Sequence, residues 1–129
     1  MRVVLVVVLA LVAGCGGSSS DDPGAAGPAY GAVPLAGLCP QVHRAIDTLV
    51  VSNPGAQQQF VAELERIAAA GTRESRTALD PLLAAARALA AAGTGPDYAT
   101  ALNGIHPAQV AVDGACAGAG SPILHDGPH

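Results

Sequence analysis

The sequence predicts an all-α fold, a small bundle of about three to five helices. Alanine supplies much of the 50% hydrophobic content, whereas aromatic residues make up only 2% of the 129-residue chain. Alanine favours helix because it has no side-chain entropy to lose. Apolar residues in the central part recur every three or four positions, which is the spacing of one helix face. Clusters of Gly, Pro, Ser and Asn separate these segments, and we find no alternating strand pattern beyond residue 14.

The first predicted helix begins at about Cys39 and ends near the helix-breaking residues 52–55. Pro40 fits its first turn, where a proline removes no helical hydrogen bond. Its apolar face is formed by Leu38, Val42, Ile46, Leu49 and Val50.

Two longer helices are expected next, over residues 56–70 and 72–92. Gly71 is a suitable stop for the earlier one, and Thr72 can cap the start of the later one. A proline deep inside a helix costs about 3 kcal/mol. We therefore expect a kink or a break at Pro81.

The last part of the domain is less regular and predicts two short helices, over residues 96–103 and 107–114. Gly104 and Pro107 argue against one long helix. Residues 117–129 have the composition of a disordered tail.

The first fifteen residues have the layout of a secretion signal. Arg2 supplies a positive charge, residues 3–12 are uniformly apolar, and small residues precede Cys15. The apolar run is about ten residues long, whereas a helix needs about 20 to cross a bilayer.

The segment Val12-Ala13-Gly14-Cys15 resembles the lipobox of bacterial lipoproteins. The resemblance implies that residues 1–14 are a cleaved signal peptide and that the Cys15 thiol carries a lipid with palmitate-type acyl chains. The chain is then expected on the extracytoplasmic face of the cell membrane. Two or more acyl chains hold a protein firmly, because each buried CH₂ contributes about 0.8 kcal/mol.

The expected domain organisation follows from this anchor. Residues 15–36 are the lipidated cysteine and a flexible linker, residues 37–116 are the helical domain, and the tail follows. Roughly 80 residues form a core that is marginal on burial alone, so a covalent link is expected to help.

Cys39 and Cys116 are an even pair in an oxidising compartment, and they bracket the predicted domain. We expect them to form one disulfide, for which chain entropy gives about 4.5 kcal/mol of stability. The alternative is that Cys39 acts with His43, at the i and i+4 positions of a helix, as a metal ligand pair or a thiolate–imidazole pair.

The tail contains a candidate for a weak metal site, in which His125, Asp126 and His129 supply ligands for copper, nickel or zinc. No cofactor is otherwise expected.

The net charge is −4, and loss of Arg2 with the signal makes it about −5. This balance argues against a nucleic-acid partner, because such partners select basic faces. The negative net charge also implies that the protein contacts the bilayer through its lipid alone.

We find no GxSxG, P-loop or HExxH motif, so we do not expect an enzyme. Two functions remain open. One is a small protein–protein interaction module of the cell envelope, and the other is a ligand-binding lipoprotein that holds a metal or an apolar small molecule.

Overall fold

A computed structural model describes residues 29–122, and within this range the fold is all-α with four helices. The predicted signal peptide, Cys15 and most of the linker lie outside the described residues, as do positions 123–129. The helices are α1 (Leu35–Asp47), α2 (Pro54–Ala70), α3 (Arg73–Ala92) and α4 (Tyr98–Gly118). The predicted all-α class is therefore confirmed.

The helices run alternately up and down. Arg66 near the end of α2 approaches Gln41 at the middle of α1, with 3.5 Å between Nη2 and Oε1, whereas Ala56 near the start of α2 lies along the same groove as Thr48, just past the end of α1. Gln58 near the start of α2 donates from Nε2 to the Ala90 carbonyl near the end of α3 at 3.4 Å. Residues 93–97 then turn the chain back, so that α4 packs along α3 and also contacts α1.

The core lies between these four helices and is built mainly of leucine and alanine. The predicted disulfide between Cys39 and Cys116 is present, and both residues are fully buried. The bond joins α1 to α4, the first and last helices of the bundle. The largest fully buried apolar side chains of the domain are Leu38, Val42, Leu64, Ile67, Leu79, Leu82, Leu89 and Val112.

Helix α1 lies further toward the amino terminus than the apolar pattern predicts. It begins at Leu35 and ends at Asp47, so Cys39 and Pro40 lie inside it rather than in its first turn. Leu49 and Val50 follow the helix. The assignment of Val50 to the buried face is wrong, because its side chain is 54% exposed.

Helices α2 and α3 begin at side-chain caps. The Asn53 side chain accepts from the Ala56 amide at 3.0 Å, and Pro54 then starts α2. Thr72 caps α3 as predicted, accepting from the Ser75 amide at 3.2 Å. Helix α3 continues without a break through Pro81.

The prediction of two short helices near the carboxyl end is wrong. A single helix, α4, spans the whole segment and contains both Gly104 and Pro107. Pro107 is exposed, whereas Ala108, Val112 and Cys116 are buried against the bundle. Packing of this inner face thus offsets the hydrogen bond that the proline cannot donate.

Residues 29–34, which we term the N-terminal strap, pack on the α2–α3 turn. Val33 donates to the Ala70 carbonyl at 3.0 Å and accepts from the Thr72 amide at 3.1 Å. The Arg76 guanidinium lies 4.6 Å from the centre of the Tyr30 ring. The structured region therefore extends before the predicted boundary at residue 37.

Among the helices of residues 29–122, none is both long enough and apolar enough to cross a membrane.

Candidate functional site

Cys39 is not available as a metal ligand or a nucleophile, because its sulfur is bonded to Cys116. The alternative pairing of Cys39 with His43 is therefore wrong for the disulfide-bonded protein. His43 instead contacts the carboxylate of Asp47 one turn later, at 3.2 Å between Nε2 and Oδ2. The i,i+4 pair is an ordinary contact on the surface of α1.

The proposed metal ligands of the tail, His125, Asp126 and His129, lie outside the described residues. Their role stays a prediction. In the part of the chain that the structure covers, no three His, Cys, Asp or Glu side chains come together as a metal site would require. His106 is exposed on α4.

A groove runs along the seam between α1 and α2, and we term it the α1–α2 groove. Its larger part has a volume of about 500 Å³, and an adjoining part of about 220 Å³ shares four of its lining residues. Buried Ala45 and Phe60 form its base, and half-buried Leu49 and Ala56 line one end. The polar side chains around it are Gln41, Arg44, Thr48, Gln59, Glu63 and Arg66.

The charged side of this groove contains two arginines and one carboxylate. Arg66 donates from Nε and Nη2 to the two oxygens of Glu63. This hydrogen-bonded pair lowers the pKa of Glu63 and raises the pKa of Arg66, and the charge of Arg44 lowers the pKa of Glu63 further. The groove therefore carries a net charge of about +1 at neutral pH.

Two other grooves differ in charge. A groove of about 300 Å³ between α2 and α3 balances Arg76 and Arg87 against Glu65 and Asp80. A groove of about 340 Å³ between α3 and α4 has Asp97 as its charged residue. Of these three grooves, only the α1–α2 groove has an excess of positive charge.

The outer face of α4 contains no acidic residue, arginine or lysine, and its one ionisable side chain is His106. Asp113 is half-buried, and no Asp, Glu, Arg or Lys is among the exposed residues of this helix. Val110, at the middle of the face, is 54% exposed. We define the outer face of α4 by its exposed residues Ala99, Thr100, Asn103, His106, Pro107, Val110, Ala111, Gly114, Ala117 and Gly118.

Gln57 joins the two loops at the opposite end of the bundle from the strap. Its side chain is 1% exposed, and Nε2 donates to the Val51 carbonyl at 2.6 Å and to the Gly93 carbonyl at 3.0 Å. This role of Gln57 was missed by the sequence analysis. A glutamine one turn before the buried Phe60 was the available signal, because a polar residue at a core position needs partners.

The comparisons identify no family for this chain. No known family model, no curated protein and no solved structure matches it.

Proposed function

We propose that this chain is an extracytoplasmic lipoprotein, anchored to the cell membrane through Cys15, whose helical domain acts by contact with another protein of the cell envelope. The lipobox-like segment and the apolar run before it support the anchor. The Cys39–Cys116 bond supports the compartment, because disulfides form and persist mainly outside the reducing cytoplasm. Since the chain has three cysteines, this bond also leaves Cys15 out of the disulfide and available for lipid.

The observation that carries the interaction role is the outer face of α4. A 21-residue helix is about 31 Å long, and this one exposes no carboxylate or arginine along that length. The exposed residues of α3 include Arg73, Glu74, Asp80 and Arg87. Because the core of a protein interface is depleted in charge, the outer face of α4 is the better candidate for a partner.

Site-specific photocrosslinking in intact cells tests the interaction. A photoreactive phenylalanine at Val110 is expected to give one dominant adduct, whereas the same residue at Ala84, which is exposed on α3, gives little. Ala117→Glu places a charge on the same face of α4 and should weaken the Val110 adduct. Ala84→Glu is the matched control. Equal adducts from both positions, or none from Val110, would overturn the proposed interaction.

Metabolic labelling with a palmitate analogue tests the anchor separately. The wild-type protein is expected to incorporate the label and to fractionate with membranes, and Cys15→Ala should lose both properties. Equal labelling of the two proteins would rule out lipidation at Cys15.

A further inference from the structure

We propose that the α1–α2 groove binds a soluble small molecule with an apolar body and one anionic group. This is a binding function separate from the protein contact assigned to α4, and it does not depend on the lipid anchor.

The size and base of the groove fit the apolar body. The larger part of the groove measures about 500 Å³, within the range of about 300–1,000 Å³ typical of small-molecule sites. The Phe60 ring and the Ala45 methyl form a base that is mostly shielded from water, and Leu49 extends it at one end. Such sites are usually apolar with a few convergent polar groups.

Charge complementarity selects an anion. The chain as a whole carries −4, so its general field repels anions. The groove reverses this balance locally, because Arg44 and Arg66 face one carboxylate, Glu63. Glu63 already accepts from Arg66, and a carboxylate in this position also orients the guanidinium for a second acceptor.

The adjoining smaller part of the groove supports one anionic group rather than an extended acidic chain. It contains both arginines together with two neutral side chains, Gln41, whose Oε1 accepts from Arg66, and Thr48, whose hydroxyl donates to the Ala45 carbonyl. The net excess is a single positive charge, so a peptide with several carboxylates would place its remaining charges next to Glu63.

Naphthalene-2-sulfonate is a suitable probe, and naphthalene-2-sulfonamide is its neutral counterpart of nearly the same shape. The purified chain is titrated with each compound by calorimetry, and the same titration into buffer alone is the blank. We expect the sulfonate to bind with a saturable isotherm and to raise the unfolding temperature as its concentration rises. The sulfonamide should bind at least about fivefold more weakly, which is the factor expected from one exposed charge contact.

Two matched pairs of variants locate the site. Arg66→Gln should weaken sulfonate binding about fivefold, whereas Arg87→Gln should not. Both arginines are similarly exposed and bonded to a glutamate of α2. Ala62 is an exposed residue that lines the α1–α2 groove, so Ala62→Phe fills the groove and should abolish binding, whereas Ala84→Phe on α3 should leave binding unchanged.

Several results would overturn the proposal. Equal binding of sulfonate and sulfonamide removes the role of charge, and tighter binding of inorganic sulfate removes the role of the apolar base. Stronger binding of a tetraglutamate peptide identifies an acidic peptide as the occupant instead. Absence of sulfonate binding to the folded wild-type protein, or unchanged binding in Ala62→Phe, rejects the site itself.

Discussion

Glu63 and Arg66 form an ion pair with two hydrogen bonds, and its effect on titration can be measured directly. The folded-state pKa of Glu63 lies below its ordinary value of 4.5, mainly because Arg66 donates to the carboxylate. The stabilisation from this pair is therefore present above the unfolded-state pKa and is lost as the pH falls through the folded-state pKa. Because both side chains are exposed, the gain in stability is small.

Replacing Arg66 by glutamine should raise the pKa of Glu63 toward its ordinary value. An NMR titration of the side-chain carboxyl carbon of Glu63 measures this shift. Arg87→Gln is the control, because Arg87 binds Glu65 and leaves Glu63 untouched. A Glu63 pKa that stays low in Arg66→Gln would show that another group holds the carboxylate ionised.

Gly31 in the N-terminal strap must lack a side chain, because it lies close to the backbone of Ala70. A Cβ atom at this position would lie 2.1 Å from the Ala70 carbonyl oxygen. We expect Gly31→Ala to displace the strap and to lower the free energy of unfolding by about 1–3 kcal/mol. Urea denaturation followed by circular dichroism measures the change.

Gly114 is the matched control for Gly31. It lies inside α4, and a Cβ atom there would have no atom within 4 Å apart from the neighbouring backbone of its own helix. Gly114→Ala should therefore stabilise the protein by up to about 1 kcal/mol, since alanine is the better helix former. If both substitutions have the same effect, the strap does not depend on the absence of a side chain at Gly31.

At the scale of the element, Pro107 is the residue of α4 with the least favourable helix propensity. It is exposed, so its ring contributes little to the core, and it cannot donate a hydrogen bond to the preceding turn. We expect Pro107→Ala to raise the free energy of unfolding by about 1 kcal/mol or more. Pro122→Ala, outside the helices, controls for the greater freedom that loss of a proline gives to the unfolded chain.

The same element shows why sequence reasoning was incomplete. Local propensity at Gly104 and Pro107 favoured a break, whereas burial of Ala108, Val112 and Cys116 against the bundle keeps one helix. Local propensity is a weak prior that tertiary packing overrides. Thr72 was predicted correctly because the cap is a local contact, made with an amide three residues away.

The candidate grooves could not be predicted from the sequence. Arg44 and Arg66 are on different helices, and only the antiparallel packing of α1 on α2 brings them to one groove. The disulfide could be predicted, because only two cysteines remained after Cys15 was assigned to lipid. The strap was missed because its Gly and Pro content resembles that of a linker, while its contacts are made with residues about 40 positions away, such as Ser75.

At the scale of the whole molecule, the disulfide is the largest single contribution to stability that can be assigned. It joins residues 77 positions apart, for which the chain-entropy model gives about 4.5 kcal/mol. Small domains are stable by only about 5–15 kcal/mol. Reduction of the wild-type protein should therefore lower its unfolding temperature strongly, by an amount that calorimetry measures.

A variant with Cys39→Ala and Cys116→Ala provides the control for reduction. Its unfolding temperature should be as low as that of the reduced protein and should not respond to dithiothreitol. A reduced wild-type protein that unfolds at the same temperature as the oxidised one would contradict this role of the bond.

The disulfide also determines what happens to the domain when its backbone is cut. The strap and the start of α1 lie at the α2–α3 turn, and Cys116 near the end of α4 is bonded to Cys39 in α1. The chain thus enters and leaves the bundle at one pole, and the loops over residues 48–53 and 93–97 form the other. Both loops lie between the bonded cysteines, so a protease that cuts either of them once releases no fragment. The two pieces separate only after reduction, and until then the nicked domain stays attached to whatever holds its amino terminus.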